Sequence, residues 1–132
     1  MSLIDAAGAP GERPTADPAE AELVRRARRR DEAAWEALVG RHQEPVFRLA
    51  YLILGDAAEA EDAAQEAFIR AYLALARFDE TRPLRPWLLS IAANLARNRR
   101  RGLGRAWAAV QRAFVEAQLR PQAGTDADVA KG

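Results

Sequence analysis

Two groups of side chains in this sequence are equipped for chemistry, a carboxylate pair and an arginine cluster. Asp62 and Glu66 stand four residues apart, so on a helix they share one face, with Gln65 beside them. Such a pair can bind a metal or meet a basic partner, but the further ligands a metal needs are not evident around it. Arg97, Arg99, Arg100 and Arg101 form a cationic cluster suited to phosphates, with a salt-dependent and largely sequence-independent affinity. Phe78 and Trp87 flank a short segment, 79–85, and Asn94 follows two helical turns after Trp87. Reading a base within a duplex needs a helix in the major groove, whereas reading an unpaired base needs a pocket, a ring and an amide. The segment 79–85 over Trp87 and Asn94 suits the second task, although both rings also suit a core. Catalysis has little to work with. The chain lacks a Gly-rich phosphate loop, an HExxH pair and a nucleophile in a recognisable turn. His42, the only histidine, has no second His, no Cys and no arranged carboxylate near it, and reads as a solvated or helix-end residue. No enzyme, cofactor, metal site or small-molecule substrate is expected.

These residues need helices to position them. At about 100° per residue, Ala64, Phe68, Ala71, Leu75 and Phe78 fall on one stripe, which predicts a helix packed on a core. Its opposite side carries Asp62, Gln65 and Glu66 together with Ile69 and Leu73, an apolar i, i+4 pair with no core of its own to face. Such a helix serves its own domain and a second client, unless both sides are buried within a bundle. Asp17-Pro18-Ala19-Glu20 reads as an earlier helix start, with Asp at the N-cap, Pro first and Glu reaching back. That helix ends near Arg30 in a run of arginines that suits the helix dipole. Asp31 caps the next helix, whose stripe begins at Trp35, Leu38 and Val39, and Pro45 is expected to kink it or split it near Gln43. Gly55 and Asp56 stop one helix and start another, so short a connection forcing antiparallel packing. Pro83 and Pro86 predict a loop over 79–85, with Pro86 first in a helix that ends in arginines. After Gly102-Leu103-Gly104 the pattern changes, and 105–119 reads as a separate amphipathic helix with Trp107, Val110, Phe114 and Ala117 on one edge. The expected fold is all-α, a compact antiparallel bundle of three to five helices. Residues 1–16 read as a disordered lead-in, 17–104 as the helical domain, and 105–132 as an amphipathic helix or linker with a tail.

The totals allow one domain plus tails in 132 residues. No apolar run approaches the ~18 residues that would span a membrane, and the first residues lack a secretion signal. Cysteine is absent, which fits the cytosol. Net charge is +1, yet 56–66 holds five acids and no base while 97–120 holds seven arginines and one acid. A chain that segregates charge in this way can offer an acidic surface to one partner and a basic one to a polyanion.

The run Asp62-Ala-Ala-Gln65-Glu66-Ala-Phe-Ile-Arg-Ala-Tyr72, then Arg77-Phe78, then Trp87-Leu-Leu-Ser-Ile-Ala-Ala-Asn94, resembles the second conserved region of bacterial sigma factors. The extracytoplasmic-function (ECF) group is the nearest match, over residues 31–101. The resemblance implies a transcription-initiation domain in the cytoplasm. In it Asp62, Gln65, Glu66, Ile69 and Leu73 would grip a coiled coil of the largest subunit of RNA polymerase core, the clamp helices. The next loop would take a base flipped from the non-template strand of the minus-ten promoter element, melting it without ATP. The residues implied in DNA binding are Thr81, Arg82, Arg85, Trp87, Asn94, Arg97, Asn98, Arg99, Arg100 and Arg101. An anti-sigma factor is a further implied partner; a membrane is not.

The sequence also departs from the family. Leu84 and Leu89 stand where relatives often carry rings, which weakens the expected melting surface. Full ECF factors continue into a second domain with a helix-turn-helix, for which too few residues follow Arg101. A helical module that binds polymerase or an anti-sigma factor without melting promoters is the alternative. A basic helical protein binding nucleic acid non-specifically is the third reading.

Overall fold

A computed structural model describes residues 14–119. Four α-helices and one 3-10 turn account for the regular structure among them: α1 (Pro18–Arg28), α2 (Glu32–Leu54), α3 (Ala57–Ala74), the 3-10 turn (Leu75–Arg77) and α4 (Leu84–Leu119). The expected all-α class is observed. Three aspartates start the first three helices, each carboxylate accepting a backbone N–H three residues on: Asp17 from Glu20, Asp31 from Ala34 and Asp56 from Glu59. Gly55 ends α2 in the left-handed region at φ 72°, its N–H donating to the Tyr51 carbonyl at 2.8 Å.

That turn folds α3 back along α2. Trp35, near the start of α2, meets Phe68 and Tyr72, near the end of α3, at ring separations of 6.3 and 5.2 Å. At the hairpin end Ala50 packs with Ala60 and Ala63, and Ala96 of α4 joins them. At the other end Leu84 and Leu88 of α4 join Phe68, Leu75 and Phe78, with Val24 of α1 and Leu38 and Val46 of α2. Thus α4 runs antiparallel to α3. The inner side of α3 is mostly alanine (60, 63, 64, 67 and 71 are all buried), so large residues come from its neighbours and the helices approach closely.

Three expectations about breaks are corrected, for Pro45 only that of a split near Gln43. Pro45 lies inside an unbroken α2; one lost backbone bond is tolerated where Val46 and Ala50 are buried on the same helix. Pro86 is the third residue of α4 rather than the first, which moves Leu84 from the loop into the core and Arg85 into the first helical turn. The N–H that Pro86 lacks would have no partner inside the helix there in any case. Finally, α4 passes through Gly102 and Gly104 without a break. A helix-interior glycine costs only about 1 kcal/mol against alanine, too little to end a helix otherwise rich in Ala, Arg and Leu.

The chain forms two compact units, one ending at Arg99 and one beginning at Arg100. The described part of the second is a single helical segment, 100–119, whose Leu103, Trp107, Val110 and Phe114 are exposed. Most of the expected tails lies outside the described residues. Ala16, within the expected lead-in, is held by its N–H, which donates to the Thr81 carbonyl at 2.8 Å.

Candidate docking face and nucleic-acid interface

On α3 the inner alanine stripe leaves Asp62, Gln65, Ile69 and Leu73 exposed, Ile69 at 60% and Leu73 at 73%. Two exposed aliphatic side chains one turn apart are an unusual solvent face. They border a groove floored by Trp35, Phe68 and Tyr72 and edged by Glu32 and Glu36 of α2. Gln65 lines a second groove, between α2 and α3, with Val39, Gln43 and Phe47. Glu66 is only half-exposed. It accepts from Arg70 at 2.7 Å and lies 3.7 Å from Arg99, which also donates to Glu59 at 2.9 Å. Arg99, read from the sequence as a phosphate contact, therefore ties α4 to α3.

The loop after the 3-10 turn is held along its length by residues far away in the chain. Arg28 of α1 donates to the Leu75 carbonyl at 3.0 Å, to the Phe78 carbonyl and to Glu80. Arg25 also reaches Glu80, at 2.8 Å. Within the loop the Asp79 carboxylate accepts from the Thr81 hydroxyl at 2.7 Å and from its N–H, bonds that hold the Asp79 pKa below the ordinary carboxylate value. Arg82 lies 3.8 Å from Asp79. Phe78 is buried and packs at a tilt of 34° against half-buried Trp87, with centroids 4.7 Å apart. These rings with Arg77, Arg82, Pro83 and Pro86 line an open cleft. The fold thus brings Arg82 and Trp87 together, while Thr81 is bonded to Asp79 and is not in that lining. It does not bring Asn94 or Arg97 into that lining; they pair with each other on the exposed side of α4 at 2.9 Å, with exposed Asn98 nearby in sequence. Arg100 and Arg101 are exposed in the second unit.

Arg85 and His42 need the largest revision. His42 is 4% exposed, not solvated. Arg85, a guanidinium that can only donate, gives Nε–H to His42 Nδ1 at 3.1 Å and a second N–H to the Arg41 carbonyl at 3.0 Å. Nδ1 being the acceptor, the proton sits on Nε2, which donates to the Glu20 carboxylate at 3.1 Å. The other Glu20 oxygen accepts the Leu84 N–H at 2.9 Å, while Arg41 lies 3.7 Å away. Glu20 is buried, and it caps α4 rather than reaching back to its own helix start, because Pro83 offers no side-chain acceptor there. Burial lowers the His42 pKa; Glu20 opposes this, while the charges of Arg85 and Arg41 add to it. Sequence reading missed Glu20, Arg25, Arg28 and His42 as parts of this site. A lone acid three residues after a cap has a sufficient local explanation, and only the fold supplies its distant partners.

Residues 38–106 match the Sigma-70 region 2 profile, over half of the chain. The chain belongs to the Sigma-70 region 2 family. Sigma factors are non-enzymatic initiation factors of transcription. The chain is 40% identical over 76 residues to the ECF RNA polymerase sigma factor SigW of Bacillus subtilis, covering 58% of this chain and 41% of SigW. It is 43% identical over 77 residues to the RNA polymerase sigma-H factor of Pseudomonas aeruginosa, covering 58% of this chain and 40% of that factor. It therefore spans about two-fifths of the length of these curated relatives. Among solved structures it is similar to an engineered region 2 of sigmaE in complex with GTAAAA, determined by NMR. The TM-score is 0.62 and the identity 38%, over 66% of this chain and 90% of that one. Among the described residues no helix is long and apolar enough to cross a membrane.

Proposed function

We propose that this sigma region 2 domain directs RNA polymerase to promoters, using α3 to dock and the loop before α4 to read an unpaired base. The observation that carries the reading is the pair of surfaces on one small domain. One is an exposed acidic and aliphatic face that no described residue covers; the other is an aromatic cleft rimmed by arginines. Asp62, Gln65, Ile69 and Leu73 meet the clamp coiled coil of the largest subunit, with Glu66 at the edge. Thr81, Arg82 and Trp87 form the base site, while Arg97, Asn98, Arg100 and Arg101 hold the strand. Unstacking a base costs a few kcal/mol, which stacking and phosphate contacts offset, so opening the minus-ten element needs no ATP. The likeness to a sigmaE region 2 bound to GTAAAA supports recognition of single-stranded promoter DNA. Work of this kind belongs in the cytoplasm, and an anti-sigma factor covering the α3 face would be its natural control.

The buried Leu84 and the ion-paired Arg99 favour one competing reading, a polymerase-binding module with weak melting power. Selection of single-stranded oligonucleotides from a pool with six randomised positions decides between them. Base reading predicts enrichment of one motif by the wild-type chain and loss of that enrichment when the loop 79–83 is replaced by glycine and serine. A flat pool alongside intact polymerase binding would favour the module without melting.

A further inference from the structure

The start of the loop is braced by the Asp79 bonds to Thr81 and Arg82, whereas its exit is set by residues of other helices. That exit is fixed by a chain of polar contacts that links three helices: Leu84 N–H to Glu20, Glu20 to His42 Nε2, and His42 Nδ1 to Arg85. Neither Glu20 nor His42 lines the aromatic cleft, and both are buried. A buried carboxylate is costly unless its oxygens are satisfied, and here each oxygen has a partner on a different helix. We propose that Glu20 and His42 are positioning residues for base recognition, a clasp that fixes where α4 begins and hence the geometry of the cleft between Phe78 and Trp87. The proposal rests on the promoter-reading function above.

The chemistry of the clasp makes it directional. His42 works as a neutral ring that accepts at one nitrogen and donates at the other. A second proton would go on Nδ1, where it faces the Arg85 guanidinium and has no acceptor. The charged groups around the ring are Glu20 on α1, Arg41 on its own helix and Arg85 on α4. Glu20 alone favours the imidazolium, and it is already shared with Leu84 N–H and Arg41. Acid therefore opens the Arg85 side of the clasp first and frees the first turn of α4. The glutamine side chain imitates the neutral ring, with its oxygen for Arg85 and its amide N–H for Glu20, and cannot titrate.

The test uses the full chain and two single-stranded DNA hexamers, the best sequence from the random pool and its scrambled order, with affinities read by fluorescence anisotropy. For Glu20→Ala we expect the preference for the selected hexamer to fall about tenfold while the scrambled affinity, set by phosphate contacts, stays the same. Backbone amides of 79–84 should exchange at least about tenfold faster, with α2 and α3 protected as before. Wild-type preference should hold at neutral pH and decline only as pH falls below about 6.5, because burial keeps the folded His42 pKa under the ordinary histidine value. His42→Gln, which keeps the contacts, should retain the preference and lose its pH dependence. A wild type that discriminates and a Glu20→Ala chain that discriminates equally would overturn the clasp alone. So would a His42→Gln profile that follows the wild type with pH. A wild type with no preference at any pH would overturn the base-reading function, and the clasp with it. Should Glu20→Ala fail to fold, the comparison of His42→Gln with wild type still decides.

Discussion

Arg99 is held by ion pairs with Glu59 and Glu66, which bear in opposite ways on the two proposed partners. Removing both acids frees the guanidinium for phosphate. Glu59→Ala with Glu66→Ala is thus expected to raise affinity for a scrambled single strand and to steepen its salt dependence by about 0.7 in the logarithmic slope, measured by anisotropy across a salt series. For the polymerase side Asp62, Ile69 and Leu73 are cleaner probes, since none of them takes part in the Arg99 pairs. Ile69→Asp with Leu73→Asp should weaken binding to the isolated clamp helices by about 2 kcal/mol or more, read by calorimetry, and leave DNA affinity unchanged. Gly55 belongs to the same scale. Its φ of 72° lies in the left-handed region that favours glycine, so Gly55→Ala should cost about 1 kcal/mol in urea unfolding even though nothing crowds the site. These residues were readable in different degrees. Gly55, Asp56 and the exposed pair Ile69 and Leu73 follow from local spacing alone. The roles of Arg99, Arg85 and His42 depend on partners some 40 residues distant, which no local pattern encodes.

At the scale of elements, α3 was legible because its two sides differ in kind, one of alanine and phenylalanine, the other of acids and isolated aliphatics. The hairpin followed from one glycine and one aspartate. The start of α4 and its continuity through the glycines were not legible, because the type of a helix-breaking residue does not give its position in the helix. Pro86 sits where a helix has no bond to lose, and the glycines at 102 and 104 weaken a helix without ending it. Neither glycine is crowded. Gly102→Ala with Gly104→Ala should therefore strengthen that stretch by about 1 kcal/mol per site, seen as a larger helical signal in circular dichroism and slower amide exchange over 100–108. The helix α1 has a role its short amphipathic sequence does not advertise. Its Arg25 and Arg28 splint the start of the loop, and its Glu20 holds the end.

Across the whole molecule one titration stands out, because the chain has a single histidine and no cysteine. The folded state holds the His42 pKa below its ordinary value, chiefly by burial. The unfolded chain then binds the proton more readily, so the stabilisation is complete above about pH 6.5 and is lost as pH falls through the lower folded value. Urea unfolding at about pH 7.5 and about pH 5.5 should give a higher midpoint at the higher pH, with the difference reduced in His42→Gln. The three tryptophans add a practical consequence. Trp35 floors the groove beside Ile69, Trp87 lines the loop cleft, and Trp107 lies exposed in the second unit. Indole emission shifts with polarity and contact quenching, so three variants that each keep one ring would report separately on clamp engagement, strand capture and the C-terminal segment. The protein carries its own optical labels, one for each proposed event, with no dye attached.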